Sequence, residues 1–522
     1  MRLQLTHALH RQLQQRPAEI ASVYGDHRFT WSELVDRSAR LAGALQALGM
    51  KPGDRVGMLA VNSHIYIEYM AGVWWGGGAL NPVNIRWSPA EVAFSLDDCD
   101  TRILLIDDRF AGCGDELRTL SKSLQVLIYI GTGETPAGML NYDELLRTTQ
   151  PVSDYGSGGN DLAGIFYTGG TTGFPKGVML SHEGLLSNAI GCLMEFNYTE
   201  DEIILAAAPI FHQAGMCIII RAFVRGRRTV VLDGFDSVQM LETIERERVT
   251  FTLLVPTMIQ RMLDCPDFAK RDISSLRRII YGTSPIGEAL LAQALNALPG
   301  VELVQGYGMT ETGGPYTILP PHCHRLSDNP RDKQLLRSAG RPVWGMEMRI
   351  VDLDGQELPR GQTGEIVSRG AGVMLGYWNR EAETKAAIRD GWMHSGDMGY
   401  MDEEGYVYIV DRLKDMIVSG GENVYSAEVE SALGTHPAVA MCAVIAVPSD
   451  AWGEAVHAVV VLREGMRATA EELRGHCKTL IAGYKCPVSF EFRDTMPLSG
   501  AGKLLKHVLR EPHWKDRNRR VG

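Results

Sequence analysis

The sequence predicts an α/β protein: a large N-terminal domain of parallel α/β subdomains plus a small β-barrel-like unit, followed by a small α+β C-terminal domain. Three observations carry this. Before about residue 340, short apolar runs alternate with amphipathic helical ones, the pattern of parallel sheets covered by helices. Beyond Gly340 the strand-like runs are separated by Asp354-Gly355, Arg360-Gly361 and Glu404-Gly405, which fits an antiparallel, partly barrel-like unit. After Asp411 a new alternation begins. The expected division is 1–411 and 412–522. At 522 residues the chain also exceeds the roughly 250–300 residues at which a single core stops growing.

Taken in order, residues 31–49 place Leu34, Val35, Ala39, Leu41, Ala42, Leu45 and Leu48 at helical spacing, with Gly49 as a stop. Residues 55–60 read as a buried strand and 65–75 as a helix. Residues 103–106 and 124–130 are further short strands, and 164–167 is a strand running into a glycine-rich loop. Residues 229–232, 251–255 and 278–281 continue the series. In the barrel-like unit the strands are 348–352, 365–368 and 406–410. In the last part, 426–433 and 471–480 are helical, and 440–447 and 455–462 are strands.

The net charge of -11 argues against a nucleic-acid or anionic-membrane binder. Nine scattered cysteines without a Cys-x-x-Cys pair fit a reduced compartment, and the expected location is cytoplasmic. No apolar run reaches the roughly 20 residues of a membrane span; residues 214–224 come nearest and contain Arg221.

Four motifs carry chemistry. The segment Tyr167-Thr-Gly-Gly-Thr-Thr-Gly-Phe-Pro-Lys-Gly177 packs four glycines and three threonines into eleven residues. Its backbone N–H groups and hydroxyls suit a phosphate, approached closely because glycine has no Cβ, and Lys176 adds a positive charge. It is not a Walker loop, since Pro175 precedes the lysine and Gly177 follows it. The segment Gln305-Gly-Tyr-Gly-Met-Thr-Glu311 offers the Tyr307 ring for stacking on a purine, the Thr310 hydroxyl for phosphate and the Glu311 carboxylate for Mg²⁺. Alone, it reads as a turn followed by a capped helix. In His394-Ser-Gly-Asp397, Asp397 suits a ribose diol, and Arg412 downstream suits the same sugar or a phosphate; read separately they are a turn aspartate and a solvated salt bridge. Lys503, in Pro497-Leu-Ser-Gly-Ala-Gly-Lys503, sits on a Gly/Ser loop, where an isolated lysine is ordinarily only a solvated charge.

Together these motifs resemble, in order and spacing and over nearly the whole chain, the superfamily of acyl-CoA synthetases, nonribosomal-peptide adenylation domains and firefly luciferase. Gly420-Gly-Glu-Asn-Val-Tyr425, Ala208-Pro-Ile-Phe-His212 and Trp452-Gly-Glu454 resemble the bacterial acyl- and aryl-CoA ligases, including fatty-acid, feruloyl and benzoate-type enzymes. The resemblance implies that Thr168, Gly169, Gly170, Thr171, Thr172, Gly173 and Lys176 hold the ATP phosphates. Thr168 and Glu311 place Mg²⁺, with Thr310 beside them. Gly282, Thr283, Tyr307 and Gly308 frame the adenine, while Asp397 and Arg412 hold the ribose. Lys503 bridges the acyl carboxylate and the α-phosphate. His212 lies at the acyl pocket, with Gly215, Met216, Thr257, Met258 and Gly313 as its lining. Gly420, Gly421, Trp452 and Tyr484 follow the coenzyme A pantetheine, and Lys414 is the hinge of a mobile C-terminal domain.

The implied reaction joins a carboxylic acid to ATP as an acyl-adenylate with release of pyrophosphate, then to coenzyme A; the cofactors are ATP, Mg²⁺ and coenzyme A. The expected partners are these small molecules and no nucleic acid, and a homodimer is compatible with the reading. Two residues depart from the family pattern. Gly169 stands where the family usually carries serine, which predicts weaker ATP affinity, and Val488 stands where many carry lysine, which argues against a coenzyme A phosphate contact from that position. The candidate pocket segments 212–216, 255–258, 282–284 and 312–315 contain no Arg or Lys, so a hydrophobic monocarboxylate is expected, medium-chain aliphatic or aryl/arylpropenoic. The alternatives are an adenylation enzyme feeding a carrier-protein thiol, a luciferase-type oxygenase and a non-catalytic nucleotide-binding protein. His322-Cys323-His324 reads as loop rather than as a zinc site, because adjacent residues cannot all face one ion.

Overall fold

A computed structural model describes residues 2–168, 175–196, 199–420, 422–498 and 504–515. It divides into two units: Met1–Glu347 with Ser368–Met393, and Met348–Val367 with His394–Gly522.

The first unit holds two large sheets. One has nine strands, in the spatial order Arg341–Pro342, Gly314–Leu319, Glu302–Met309, Arg278–Gly282, Phe251–Leu254, Ile203–Ala206, Arg228–Val231, Ile20–Tyr24 and His27–Thr30. The strands from Glu302–Met309 through Ile20–Tyr24 pair in parallel, and the outer strands are antiparallel additions. Adjacent residues point to opposite faces. Leu205, Leu254, Ile279 and Leu303 join one buried cluster with Met240, Ile244, Met262 and Leu291 from the covering helices. Ile204, Leu253, Ile280 and Val304 join another, with Cys217, Ile218 and Ala222 of the helix Gln213–Arg225. Burial of both faces explains why these strands read as continuous apolar runs instead of alternating ones.

The second sheet has eight strands, in the order Gly376–Tyr377, Lys176–Ser181, Leu162–Thr168, Ala79–Pro82, Arg55–Leu59, Ile103–Ile106, Val126–Tyr129 and Leu140–Asn141. Its helices start where the sequence supplies caps. Thr30 and Ser88 each form a reciprocal capping box with the glutamate three residues on, and Ser63, Asn141 and Ser181 cap with their side-chain oxygens. Each such cap contributes about 1 kcal/mol. The helices Trp31–Ala47 and His64–Trp75 bury Trp31, Trp74, Tyr66 and Tyr69. A charge sits in this core. Glu68 is fully buried, paired to Arg37 at 2.7 Å and accepting from the Tyr142 hydroxyl at 2.5 Å.

The second unit contains a small antiparallel half-barrel in which Met346–Val351, Gly364–Gly370, Trp392–Met401 and Val407–Arg412 take part, with Ile350, Ile366, Met401 and Val407 inside. Its other sheet contains Glu422–Val424, Ile417–Ser419, Gly453–Leu462, Val439–Ser449 and the parallel strand Ser489–Phe492. Val444, Ala446, Val456 and Ala458 face the helices Ser426–Gly434 and Ala470–Leu480. Ala443, Ile445 and Val459 face Leu509 of Lys506–Arg510 on the opposite side. All nine cysteines are free thiols. No helix among the described residues is long and apolar enough to cross a membrane.

Candidate active site

In the nine-stranded sheet, Ile203–Ala206 has the next strand in sequence, Arg228–Val231, on one side and the one after it, Phe251–Leu254, on the other. The chain therefore leaves it in opposite directions, a switch point of the kind at which α/β sheets bind ligands beyond the carboxyl ends of the strands. The predicted residues follow those ends. His212 comes after Ala206, Thr257 and Met258 after Leu254, and Thr283 after Gly282. Tyr307 and Gly308 close the strand that leads into Thr310 and Glu311.

The residues expected to frame the adenine occupy tightly specified backbone. A Cβ on Gly282 would lie 2.1 Å from the Gly306 carbonyl oxygen, and one on Gly308 only 2.2 Å from that of Gly314. Thr283 adopts φ +66°, a left-handed conformation costly for a β-branched residue. Tyr307 is half-buried, its ring 5.1 Å from that of Tyr316. The residues after Tyr307 do not turn into a helix. The strand continues to Met309 with a bulge at Tyr307/Gly308, and a single 3₁₀ turn, Thr310–Thr312, reverses it into Gly314–Leu319. Side chains hold that turn: Gln213 donates to the Gly313 carbonyl at 2.6 Å and Asn188 to that of Pro315 at 2.8 Å.

The strands on either side of the expected phosphate segment pair antiparallel. Thr168 and Lys176, expected in a loop, are instead paired across the strands Leu162–Thr168 and Lys176–Ser181. Gly169, Gly170, Thr171, Thr172 and Gly173 lie outside the described residues. Tyr167, at the hairpin base, donates to Asp98 at 2.8 Å, and the same carboxylate pairs with Arg380 at 3.0 Å. On the next strand Tyr377 joins two predicted residues: its hydroxyl donates to Glu311 Oε1 at 2.9 Å, and the Lys176 ammonium lies 5.4 Å from its ring centre. Burial, reinforced by the Glu311 charge, raises the Tyr377 pKa, so the phenol stays a donor. Sequence reasoning missed Tyr377, Asp98, Gln213 and Asn188, because each acts through a neighbour brought close only by the fold. Glu311, 8% exposed and oriented by Tyr377, and the Thr168 hydroxyl are hard oxygen donors of the kind Mg²⁺ takes, so the residues fit that ion.

Around the expected acyl pocket, His212 precedes the helix Gln213–Arg225 with its ring 4.5 Å from Phe211. Gly215 and Met216 are buried. A Cβ on Gly215 would stand 2.2 Å from the Pro209 carbonyl oxygen, so this glycine serves backbone packing. Thr257 is exposed and Met258 half-buried. Gly313 takes φ +68° at the end of the 3₁₀ turn. His324 uses both ring nitrogens, toward the Tyr281 hydroxyl at 2.9 Å and the Pro320 carbonyl at 3.1 Å. The His322-Cys323-His324 tripeptide borders a 3₁₀ turn, Pro321–Cys323.

In the second unit, Asp397 and Arg412 are register partners on adjacent strands, joined at 3.2 Å, so the expected turn aspartate is a strand residue. His394 pairs with Glu365 at 2.7 Å beside them. Lys414 lies in the turn after Arg412, and burial lowers its pKa. Arg510 donates to the Lys414 carbonyl and pairs with Asp415, both at 3.0 Å. Gly420, at φ +62°, donates its N–H to the Trp452 carbonyl at 3.0 Å, so these two predicted residues meet. Trp452 is 51% exposed and Tyr484 52%, flat faces open to a ligand. Val488 bonds through its backbone to Val456. Gly421 and Lys503 lie outside the described residues.

A family profile described as AMP-binding enzyme matches residues 9–378, and one described as AMP-binding enzyme C-terminal domain matches 428–503. The chain is 37% identical over 501 residues to a feruloyl-CoA synthase from an Amycolatopsis species, covering 96% of this chain and 97% of the relative. It is 35% identical over 512 residues to the fatty acid–[acyl-carrier-protein] ligase ScoC of Streptomyces coeruleorubidus, covering 97% and 96%. Among solved structures it is similar to the o-succinylbenzoate CoA synthetase MenE of Bacillus subtilis in complex with its acyl-adenylate intermediate, with a TM-score of 0.84, 31% identity and 98% of each chain covered.

Proposed function

The chain belongs to the AMP-binding enzyme family as an AMP-forming acyl-CoA synthetase that uses ATP, Mg²⁺ and coenzyme A, and from that premise we propose that it activates a hydrophobic monocarboxylic acid, medium-chain fatty or aryl/arylpropenoic, and delivers it to coenzyme A. The observation that carries the acid class is the composition of the segments beyond the strands' carboxyl ends. Residues 212–216, 255–258, 282–284 and 312–315 follow the carboxyl ends of the strands and contain no Arg or Lys to pair a second carboxylate. The relatives named for feruloyl and fatty acyl groups support this reading.

A carboxylate oxygen attacks the α-phosphorus of ATP, and the bond from that phosphorus to the β-phosphate bridging oxygen breaks, releasing pyrophosphate. Two anions approach, so positive charge is required where charge develops. We assign Lys503 to the carboxylate and α-phosphate, Lys176 and the glycine-rich segment to the outgoing phosphates, and Asp397 with Arg412 to the ribose. Mg²⁺, held by Glu311 and Thr168, supplies further charge neutralisation when bound. The thiol sulfur of coenzyme A then attacks the acyl carbonyl and AMP leaves. Gly420, Gly421, Trp452 and Tyr484 are assigned to the pantetheine, Lys414 to the hinge, and 412–522 to the mobile domain.

ScoC, named for an acyl-carrier-protein acceptor, supports a second reading in which the acyl group goes to a carrier-protein thiol. Pyrophosphate release over a panel of acids, with and without coenzyme A, tests both. Hydrophobic monocarboxylates should be turned over best, with coenzyme A accelerating release. A dicarboxylate activated best overturns the acid assignment, and indifference to coenzyme A overturns the acceptor.

A further inference from the structure

His457, Glu491 and His513 are not among the residues assigned above and are given no part in that chemistry. We propose that they form a binding site for a borderline divalent transition-metal ion, Zn²⁺ or a close analogue, on the C-terminal sheet.

The sheet register places the first two ligands. His457 on Gly453–Leu462 pairs in parallel with Ser489 on Ser489–Phe492, and Glu491, two residues beyond Ser489, projects from the same face. His513 ends the 3₁₀ turn Glu511–His513, its ring centre 5.1 Å from that of His457. One ligand atom from each of the three lies within 4.8 Å of the others. The tetrahedral edge for metal–ligand bonds of about 2.0–2.1 Å is about 3.4 Å, so a modest inward rotation of the exposed His513 ring closes the set.

Further features support the set and orient the ligands. His457 is 6% exposed, and its Nε2 has no hydrogen-bond partner although it is buried, an arrangement that costs free energy unless something binds there. Its Nδ1 lies 2.7 Å from the Ser489 hydroxyl, which fixes the ring so that Nε2 faces Glu491, whose Oε2 is 4.0 Å away. Arg493 holds the other carboxylate oxygen, Oε1, at 2.5 Å, steadying Glu491 as outer partners of metal ligands do. The segment bearing His513 is anchored on both sides, by Leu509 buried under the sheet and by the Trp514 indole donating to the Ala446 carbonyl at 2.9 Å.

Two imidazoles and one carboxylate suit Zn²⁺, Co²⁺, Ni²⁺ or Cu²⁺, with water completing the shell, and do not suit Mg²⁺, which prefers an all-oxygen shell. The site is therefore chemically distinct from the Mg²⁺ donors Thr168 and Glu311. An ion there ties the segment bearing His513, ten residues after Lys503, to the sheet.

The test is Co²⁺ titration of the chelator-treated full chain in excess Mg²⁺, followed by visible absorption. The expected result is a ligand-field band saturating at one equivalent, without a thiolate charge-transfer band, and abolished by competing Zn²⁺. His513→Ala and Glu491→Gln should each weaken binding by at least about tenfold. His476→Ala, which removes a histidine of a separate pair with His436, should leave it unchanged. Because His513 is exposed, its variant should keep the metal-free melting temperature of the parent while losing the rise that Zn²⁺ gives the parent. The proposal is overturned if no stoichiometric band forms, if the band carries thiolate charge transfer, or if it survives both ligand substitutions.

Discussion

Tyr377→Phe isolates one hydrogen bond. The substitution deletes the hydroxyl that donates to Glu311 Oε1 at 2.9 Å and keeps the ring over which Lys176 sits. Glu311 is 8% exposed, so water replaces the lost donor poorly. A hydrogen bond to a charged group contributes about 1.5–3 kcal/mol. At about 1.4 kcal/mol per decade, that is a loss of about 10- to 150-fold in kcat/KM for adenylation. The assay is continuous pyrophosphate release with ATP and Mg²⁺ varied. Since the hydroxyl orients the carboxylate and does not touch the acid, the Mg²⁺ requirement should rise while the KM for the acid holds. Thioester formation from supplied acyl-adenylate should be unaffected. Tyr377→Leu, which also removes the cation–π contact, should lose about a further 0.5–2 kcal/mol. A Tyr377→Phe enzyme within about twofold of the parent at all Mg²⁺ concentrations would refute the positioning role.

Other perturbations follow from the same geometry. Gly308→Ala drives a Cβ to 2.2 Å from the Gly314 carbonyl and 2.5 Å from Pro315 Cα, both backbone. It should cost about 1–3 kcal/mol of stability and raise the KM for ATP; an unchanged melting temperature and KM would contradict this. Arg37→Ala leaves the fully buried Glu68 without its ion-pair partner and should destabilise the fold by about 3–5 kcal/mol in urea denaturation. His182 is fully buried with neither ring nitrogen bonded, and burial pushes its pKa down to about 4. The unfolded chain takes up this proton first, so the stability tied to the neutral ring is fully present above about pH 6.5 and is lost as pH falls toward 4. About 2 kcal/mol should be gone by pH 5, and His182→Phe should flatten the urea midpoint across that window.

Much of this architecture was legible before any coordinates, for a physical reason. Strands such as 103–106 are buried on both faces, so their whole length is apolar. Helices such as Trp31–Ala47 carry both period and cap. The pieces not read were those whose identity is set by partners. Lys176 belongs to a strand because Thr168 pairs with it across the hairpin, and glycine and proline around it signal only a break. Asp397 lies in a strand because Arg412 faces it. The 3₁₀ turn at Thr310–Thr312 is held by Gln213, about a hundred residues earlier, which no local pattern reveals. The same holds for the site: Lys176, Glu311, Asp397 and Gly420 stand out by residue type, whereas Tyr377 and Asp98 act only through the groups they orient.

Two half-reactions, with coenzyme A as the acceptor, make up the proposed activity. Their most direct test is a product balance on the parent and a Lys503→Ala variant, with one hydrophobic monocarboxylate, ATP, Mg²⁺ and either coenzyme A or a pantetheinylated carrier protein. The parent should form pyrophosphate, AMP and acyl-CoA in equal amounts and leave the carrier protein unacylated. Lys503→Ala should release no pyrophosphate yet still convert supplied acyl-adenylate to acyl-CoA. Preferential acylation of the carrier protein, or equal loss of both half-reactions in the variant, would contradict it.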